Sequence, residues 1–215
     1  MKILYLKSID STQIYLKNLL KDGSVTTPVA VVADKQTDGV GSRENQWQGL
    51  DGNLFLSFAI KLDDVVKDLK LESASIYFAY LLKEVLSEKS SKVFLKWPND
   101  FYLDGFKIGG MITNIVGDCL VCGVGLNLLN APNGFKSLDI DISRDELLKL
   151  YFAKIEKRFL WKQVFSKYKL EFYKNNQCFT HNKDNLKISL IDASLLDDGS
   201  ILSNGERIYS LRWVK

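Results

Sequence analysis

Three short segments of this chain gather residue types that can do chemistry. In Lys96-Trp97-Pro98-Asn99-Asp100 an amine stands at the end of a short apolar run, ahead of a stiff Trp-Pro pair. A charge on so fixed a support suits a centre where phosphate charge develops and must be neutralised. Asn99 and Asp100 can orient polar groups or a magnesium ion. The same string also reads as a strand followed by a proline turn with solvated charges, and the residues alone leave the two readings even. The second segment, Gln36 to Trp47, combines Gly39 and Gly41 with Ser42, Arg43 and a tryptophan. Glycines let backbone approach a ligand and aim N–H groups at an anion. Arg43 offers a fork to phosphate or carboxylate, and Trp47 an apolar cover. Composition alone would make this a surface loop with one anchoring tryptophan.

The third segment is split between Lys107-Ile108-Gly109-Gly110-Met111-Ile112 and Gly123-Val124-Gly125-Leu126-Asn127. Glycines inside strands mark bulges or a close approach by another group, although plain packing against a helix would also use them. The Gly-Val-Gly lacks the third glycine and the following helix of a dinucleotide fingerprint, and no Gly-Lys-Ser/Thr occurs. A nucleotide would have to be held by some other device.

The elements that must position these residues follow from hydrophobic period and punctuation. Strands are expected at Lys2 to Leu6, Val29 to Ala33, Leu54 to Ile60, Val93 to Lys96 and Leu120 to Leu126. Asp104-Gly105 is a two-residue hairpin signal between strands Phe101 to Leu103 and Phe106 to Asn114, and Gly117-Asp118 makes a further turn. Helices are expected after the Asp10-Ser11-Thr12 cap, over Leu71 to Glu88, and from the capping box at Ser143 to about Asn176. Lys35 to Asn53 has too little periodicity to be regular, and segments of that length are often functional. The tail alternates and turns tightly at Asp197-Asp198-Gly199 and Asn204-Gly205. We therefore expect an α/β (α+β) body over residues 1–179, with a mixed, largely antiparallel sheet and helices on one face. A small all-β unit should follow over residues 180–215. The hairpin signals argue against a doubly wound parallel sheet.

The 215 residues suit this organisation, and 46% hydrophobic and 26% charged residues are ordinary for a globular protein. A net charge of +3 does not argue for nucleic acid. No run approaches the ~20 apolar residues of a membrane span, and no secretory pattern opens the chain, so no membrane partner and a cytoplasmic location are expected. Three cysteines make no disulfide framework. Cys119 and Cys122 are spaced like metal ligands, as are Cys178 and His181, but three apart on a strand the first two point to opposite faces. No metal set is expected, and the cysteines read as small buried residues.

Taken in order, these segments resemble the biotin protein ligase family. Asp10-Ser11-Thr12, the glycine loop ending in Trp47, Gly52-Asn53-Leu54-Phe55-Leu56-Ser57, Lys96-Trp97-Pro98-Asn99-Asp100, Lys107-Ile108-Gly109-Gly110 and Gly123-Val124-Gly125-Leu126-Asn127 carry the likeness. It covers roughly residues 8 to 130. The Lys-Trp-Pro-Asn-Asp string is its most specific part. The resemblance implies the fold shared with class II aminoacyl-tRNA synthetases, ending in a small Src-homology-3-like β-barrel. It implies that biotin is activated by ATP and Mg2+ to biotinyl-5′-AMP and passed to a lysine of a biotin carboxyl carrier protein of acetyl-CoA carboxylase. By position, Ser11, Thr12, Gln36, Gly39, Trp47, Lys96 and Gly109 fall on the biotin side. Gly41, Ser42, Arg43, Asn99, Lys107 and Asn127 fall on the nucleotide side. Lys96 takes the catalytic place, with Arg43 beside it.

Two departures matter. The family usually reads Gly-Arg-Gly-Arg in the loop, whereas Val40 and Ser42 stand at the arginine positions here. Only Arg43 is left to hold the adenylate, so weaker retention is expected, a charged hydrogen bond contributing ~1.5–3 kcal/mol. The motifs also begin too near Met1 to follow a helix-turn-helix, so a short, monofunctional ligase without DNA binding is expected. Many members are homodimers. The alternatives are a lipoate or octanoate ligase of similar fold and a non-catalytic biotin or nucleotide sensor.

Overall fold

Apart from Ser57, the run Leu54 to Ile60 is wholly apolar, and it becomes a central strand buried on both sides. The structure is a computed structural model that describes residues 1–41, 46–181 and 186–209. Its main sheet has seven strands: β1 (Lys2–Ile9), β2 (Val29–Gln36), β5 (Leu54–Lys61), β6 (Phe94–Lys96), β7 (Asp100–Leu103), β8 (Phe106–Val116) and β9 (Cys119–Leu126). They lie in the order β1-β2-β5-β9-β8-β7-β6. Only β1 and β2 run parallel, and each of the other neighbouring pairs is antiparallel. The Asp104-Gly105 turn joins β7 to β8 with φ of 47° and 81°, the left-handed pair a two-residue hairpin needs.

Four helices flank this sheet: α1 (Thr12–Lys21), α2 (Ala74–Glu88), α3 (Arg144–Glu156) and α4 (Trp161–Glu171). Ser11 caps α1 by accepting from the Ile14 N–H at 3.4 Å, and Ser143 caps α3 by accepting from the Glu146 N–H at 3.2 Å. Alternation along the strands decides which helix covers which face. Ala30 and Val32 on β2, Leu56 and Phe58 on β5, and Cys122 and Val124 on β9 join the large core with α2 and α3. Their neighbours Val29, Val31, Ala59 and Val121 join a second, smaller core under α1. The longer helices thus keep to one face as the sequence implied, while α1 covers part of the other.

The polar stretch expected to be irregular contains a two-stranded antiparallel pair, β3 (Gly39–Val40) and β4 (Gln46–Trp47). After α4 the chain forms short strands β10 (Phe179–His181), β11 (Lys187–Ser189), β12 (Ser194–Leu195), β13 (Ile201–Ser203) and β14 (Glu206–Ile208), in sheets of two and three strands. Three consecutive carbonyls of the turn after β12 tie this tail to the body. Asp197 O accepts from Trp161 Nε1 at 2.8 Å, Asp198 O from the Ser73 hydroxyl, and Gly199 O from Trp97 Nε1 at 2.8 Å.

Candidate active site

The face that α1 only partly covers is where the strands carry their smallest residues. Ser57 on β5, Gly123 and Gly125 on β9, and Gly110 on β8 replace the large side chains found on the core side. Removing those side chains leaves a groove. Its cavity has about 470 Å³ of empty space, open mouth included. Ser11 at the cap of α1, Thr12 and Gln13 from its first turn, Gln36 from β2, Val40 and Gly41, and Trp47 line it, together with the β8 and β9 backbone, Asp100 and Lys107.

One end is polar and closed. The Thr12 N–H and Oγ1–H both donate to Gln36 Oε1, at 2.8 and 2.9 Å. Thr12 Oγ1 also lies 2.9 Å from Ser57 Oγ, whose hydrogen donates to Gln13 Oε1 at 3.0 Å. Gln13 Nε2 in turn donates to Asn114 Oδ1 at 3.1 Å. Two hydroxyl hydrogens thus serve three short contacts. This end is rich in acceptors and suits a ligand that brings its own N–H. Ser11, Thr12, Gln13 and Ser57 are all buried, so the pattern is held by packing as well as by hydrogen bonds.

The middle is apolar and roofed. The Trp47 indole lies across Gly125, where a Cβ would meet its Nε1 at 2.7 Å. That Nε1 has no hydrogen-bond partner among the described residues. Gly39 lets the β3–β4 pair close: a Cβ there would meet Trp47 O at 2.7 Å and Gln36 Nε2 at 2.8 Å.

The far end is charged. Lys96, Asp100, Gly110 and Gly125 pair in turn across β6, β7, β8 and β9, forming one row across the sheet. Lys107 Nζ sits 2.6 Å from Asp100 Oδ1, and Lys96 Nζ 3.9 Å from Asp100 Oδ2. One carboxylate between two ammonium groups leaves a net positive charge facing any anion that enters. Burial, followed by the field of Asp100, holds the Tyr102 hydroxyl above its ordinary pKa, so it stays protonated at neutral pH. Lys96 Nζ lies 3.4 Å from that hydroxyl and 4.9 Å from the ring centroid.

The structure brings Ser11, Thr12, Gln36, Gly41, Trp47 and Lys107 to the cavity wall, and Gly39 directly behind it. It separates four others from the lining. Lys96 stands one strand beyond the wall, behind Asp100. Gly109 faces the core side, where a Cβ would strike Gly125 O and Leu126, so its smallness serves strand packing; Gly110 takes the cavity side. Asn99 uses its side chain on Met111 O. Asn127 is buried, with Oδ1 accepting from Asn53 and Nδ2 donating to Lys136 O. Ser42 and Arg43 lie outside the described residues. Gln13 and Ser57 are residues the sequence reading did not assign to the site. Gln13 falls on the same stripe of α1 as Leu16 and Leu20, and Ser57 interrupts an apolar strand. A polar residue in such a place is the signal that would have found both.

A groove across a mixed sheet, polar at one end, roofed by an indole and cationic at the other, is the candidate site of this α/β protein. The chain belongs to the biotin/lipoate A/B protein ligase family, whose model matches residues 5–127. It is similar to the biotin acetyl coenzyme A carboxylase synthetase of Helicobacter pylori, solved with bound biotinylated ATP. The identity is 39% and the TM-score 0.93, covering 97% of this chain and 99% of that one. Over 145 residues it is 32% identical to the chloroplastic biotin–protein ligase 1 of Arabidopsis thaliana, a match covering 60% of this chain and 40% of that protein. The biotin–[acetyl-CoA-carboxylase] ligase of Mycobacterium tuberculosis matches at 29%, over 58% of this chain and 47% of its own. The chain thus spans less than half the length of these two relatives. The biotin protein ligase of Aquifex aeolicus, at 23% identity and a TM-score of 0.79, shares the fold.

Proposed function

We propose that the chain joins biotin to ATP as biotinyl-5′-AMP and then passes the biotinyl group to a lysine of a biotin carboxyl carrier protein. The observation that carries this reading is the groove itself: an acceptor-rich end at Thr12, Gln36 and Ser57, and the Lys107 amine at the other end. A urea N–H fits the first and a carboxylate the second, and the apolar chain between them lies beneath Trp47.

Lys107 lines the cavity and Lys96 does not, so we assign Lys107 to the reacting carboxylate and the α-phosphate. Its charge stabilises the oxygens as the carboxylate attacks phosphorus and pyrophosphate leaves. Lys96 holds Asp100 from behind. In the second half-reaction the carrier amine attacks the carbonyl of the mixed anhydride, and AMP departs. Asp100 is assigned to take the amine's proton, being the carboxylate among the described lining residues. The β3–β4 pair with Trp47 keeps water from the anhydride.

Among the described residues, no three acidic, histidine or cysteine side chains gather in a way that could hold a metal. Asp100 is already shared by two lysines. In this reading magnesium enters with the nucleotide as Mg·ATP, and no protein ligand is assigned to it. No helix among the described residues is long and apolar enough to cross a membrane. A cytoplasmic carboxylase carrier as partner is part of this reading.

The test is to incubate the protein with Mg·ATP, biotin and a carboxylase carrier domain. Pyrophosphate release that depends on biotin, and a biotinylated carrier, are expected. Release that lipoate or octanoate supports and biotin does not would overturn the assignment of substrate. No release with any acid would overturn the assignment of activity.

A further inference from the structure

Two buried asparagines outside the cavity are joined to the backbone of the cavity's lysine. Asn53, fully buried just before β5, accepts at Oδ1 from the N–H groups of Leu128, Leu129 and Asn130, at 3.0, 3.2 and 3.3 Å. Its Nδ2 donates to Asn130 O at 2.7 Å and to Asn127 Oδ1 at 3.3 Å. Asn127 passes the link on: its Nδ2 donates to Lys136 O at 3.2 Å, and its carbonyl accepts from the Leu138 N–H at 2.8 Å. The Lys136 N–H then donates to Lys107 O at 3.2 Å. Asn53 fixes the start of the segment 128–138, and Asn127, which it holds, fixes the other end against Lys107.

The register gives this segment a direction. The cavity runs along β8 and β9 from Gly123 and Ile112, beside Gln13, to Gly125 and Gly110, beside Lys107 and Asp100. Segment 128–138 leaves the end of β9 at the Lys107 side. A second substrate that must meet the Lys107 amine arrives next to it, while the acceptor-rich end lies at the other extreme.

We propose that Asn53 is a positioning residue for the nucleotide half of the reaction, acting through Asn127 and segment 128–138 on Lys107. The inference rests on the ligase reading above. All four polar side-chain atoms of Asn53 and Asn127 are engaged within the protein, so neither is assigned to touch substrate. Their effect is to place what does.

Pyrophosphate-release kinetics on wild type, Asn53→Ala and Asn53→Asp test this, with thermal unfolding measured alongside. In Asn53→Ala the KM for ATP should rise about tenfold while the KM for biotin changes less than about twofold. Asn53→Asp keeps the acceptor for three N–H groups but sets a carboxylate oxygen against Asn130 O and Asn127 Oδ1, so its KM for ATP should rise by about threefold or more. Equal change in both KM values, or change in neither, overturns the proposal, whatever happens to the melting temperature. If Asn53→Ala does not fold, the same comparison in Asn53→Asp decides. A wild type without biotin-dependent release sinks the ligase reading and this inference together. An active wild type with unselective variants sinks this inference alone.

Discussion

Gly125 lies flat beneath the Trp47 indole, with room for a hydrogen and for nothing larger. The roof of the groove therefore depends on the absence of one methyl group. Gly125→Ala should push the indole outward and raise the biotin KM about tenfold, the cost of about 1.4 kcal/mol. Alanine is also the better strand residue by roughly 0.5–1 kcal/mol. Melting temperature should hold or rise while substrate binding weakens. Loss of both would mean that Gly125 serves the sheet and not the roof.

The two lysines of the charged end should separate cleanly. Lys107→Ala is expected to slow pyrophosphate release by ~10²–10³, as removal of a preorganised transition-state donor does elsewhere. Biotin binding, measured by calorimetry, should weaken by about tenfold, because the same amine holds the biotin carboxylate. Lys96→Ala acts only through Asp100 and should cost about tenfold. The reverse ranking would return the reacting position to Lys96.

Much of this arrangement could be read before the structure, and the exceptions have a common cause. Ser11 and Ser143 cap their helices, and Asp104-Gly105 turns its hairpin, because each signal lies within a few neighbouring residues. The same is true of the apolar runs that became β2, β5 and β9. What the sequence hid is non-local. Both faces of β2 are apolar, so nothing in Val29 to Ala33 says that α1 takes one of them. The two strands around Trp47 are two residues each and gain their meaning from Gly125, far along the chain. Lys96 stands behind Asp100 because β6 lies outside β7 in the sheet, while a register shift between Phe101 and Tyr102 brings Lys107 to Asp100.

Gln13 bridges Ser57 and Asn114 under the closed end of the groove. Gln13→Ala would take from the buried Ser57 hydroxyl the acceptor of its hydrogen and leave it Thr12 Oγ1 alone, and a buried polar group left short of a partner costs ~1–3 kcal/mol. Biotin affinity by titration calorimetry should fall by about tenfold, with the KM for ATP unchanged. An unaltered affinity would remove Gln13 from ligand recognition.

Acid should weaken the packing of α4 on α2. Burial alone would raise the Glu171 pKa, but hydrogen bonds from Lys83 and Tyr80 outweigh it and hold the carboxyl below its ordinary 4.5. A lowered folded-state pKa means that its stabilisation is complete above the unfolded value and is lost as pH falls through the folded one. Melting temperature should therefore drop as pH is taken below about 4.5. Glu171→Gln should flatten that dependence, and an unchanged slope would contradict the link.

The three successive carbonyls at 197–199, each taken by a different part of the body, bear on how this molecule can change. Trp97 lies two residues before Asn99 and three before Asp100, so the strand end that presents the carboxylate is gripped by the last quarter of the chain. The tail is therefore no interchangeable module. A graft from a relative would have to bring a turn of the same shape to Trp97, Ser73 and Trp161, or leave three donors without acceptors. Alterations in this tail would be felt at the lysine pair.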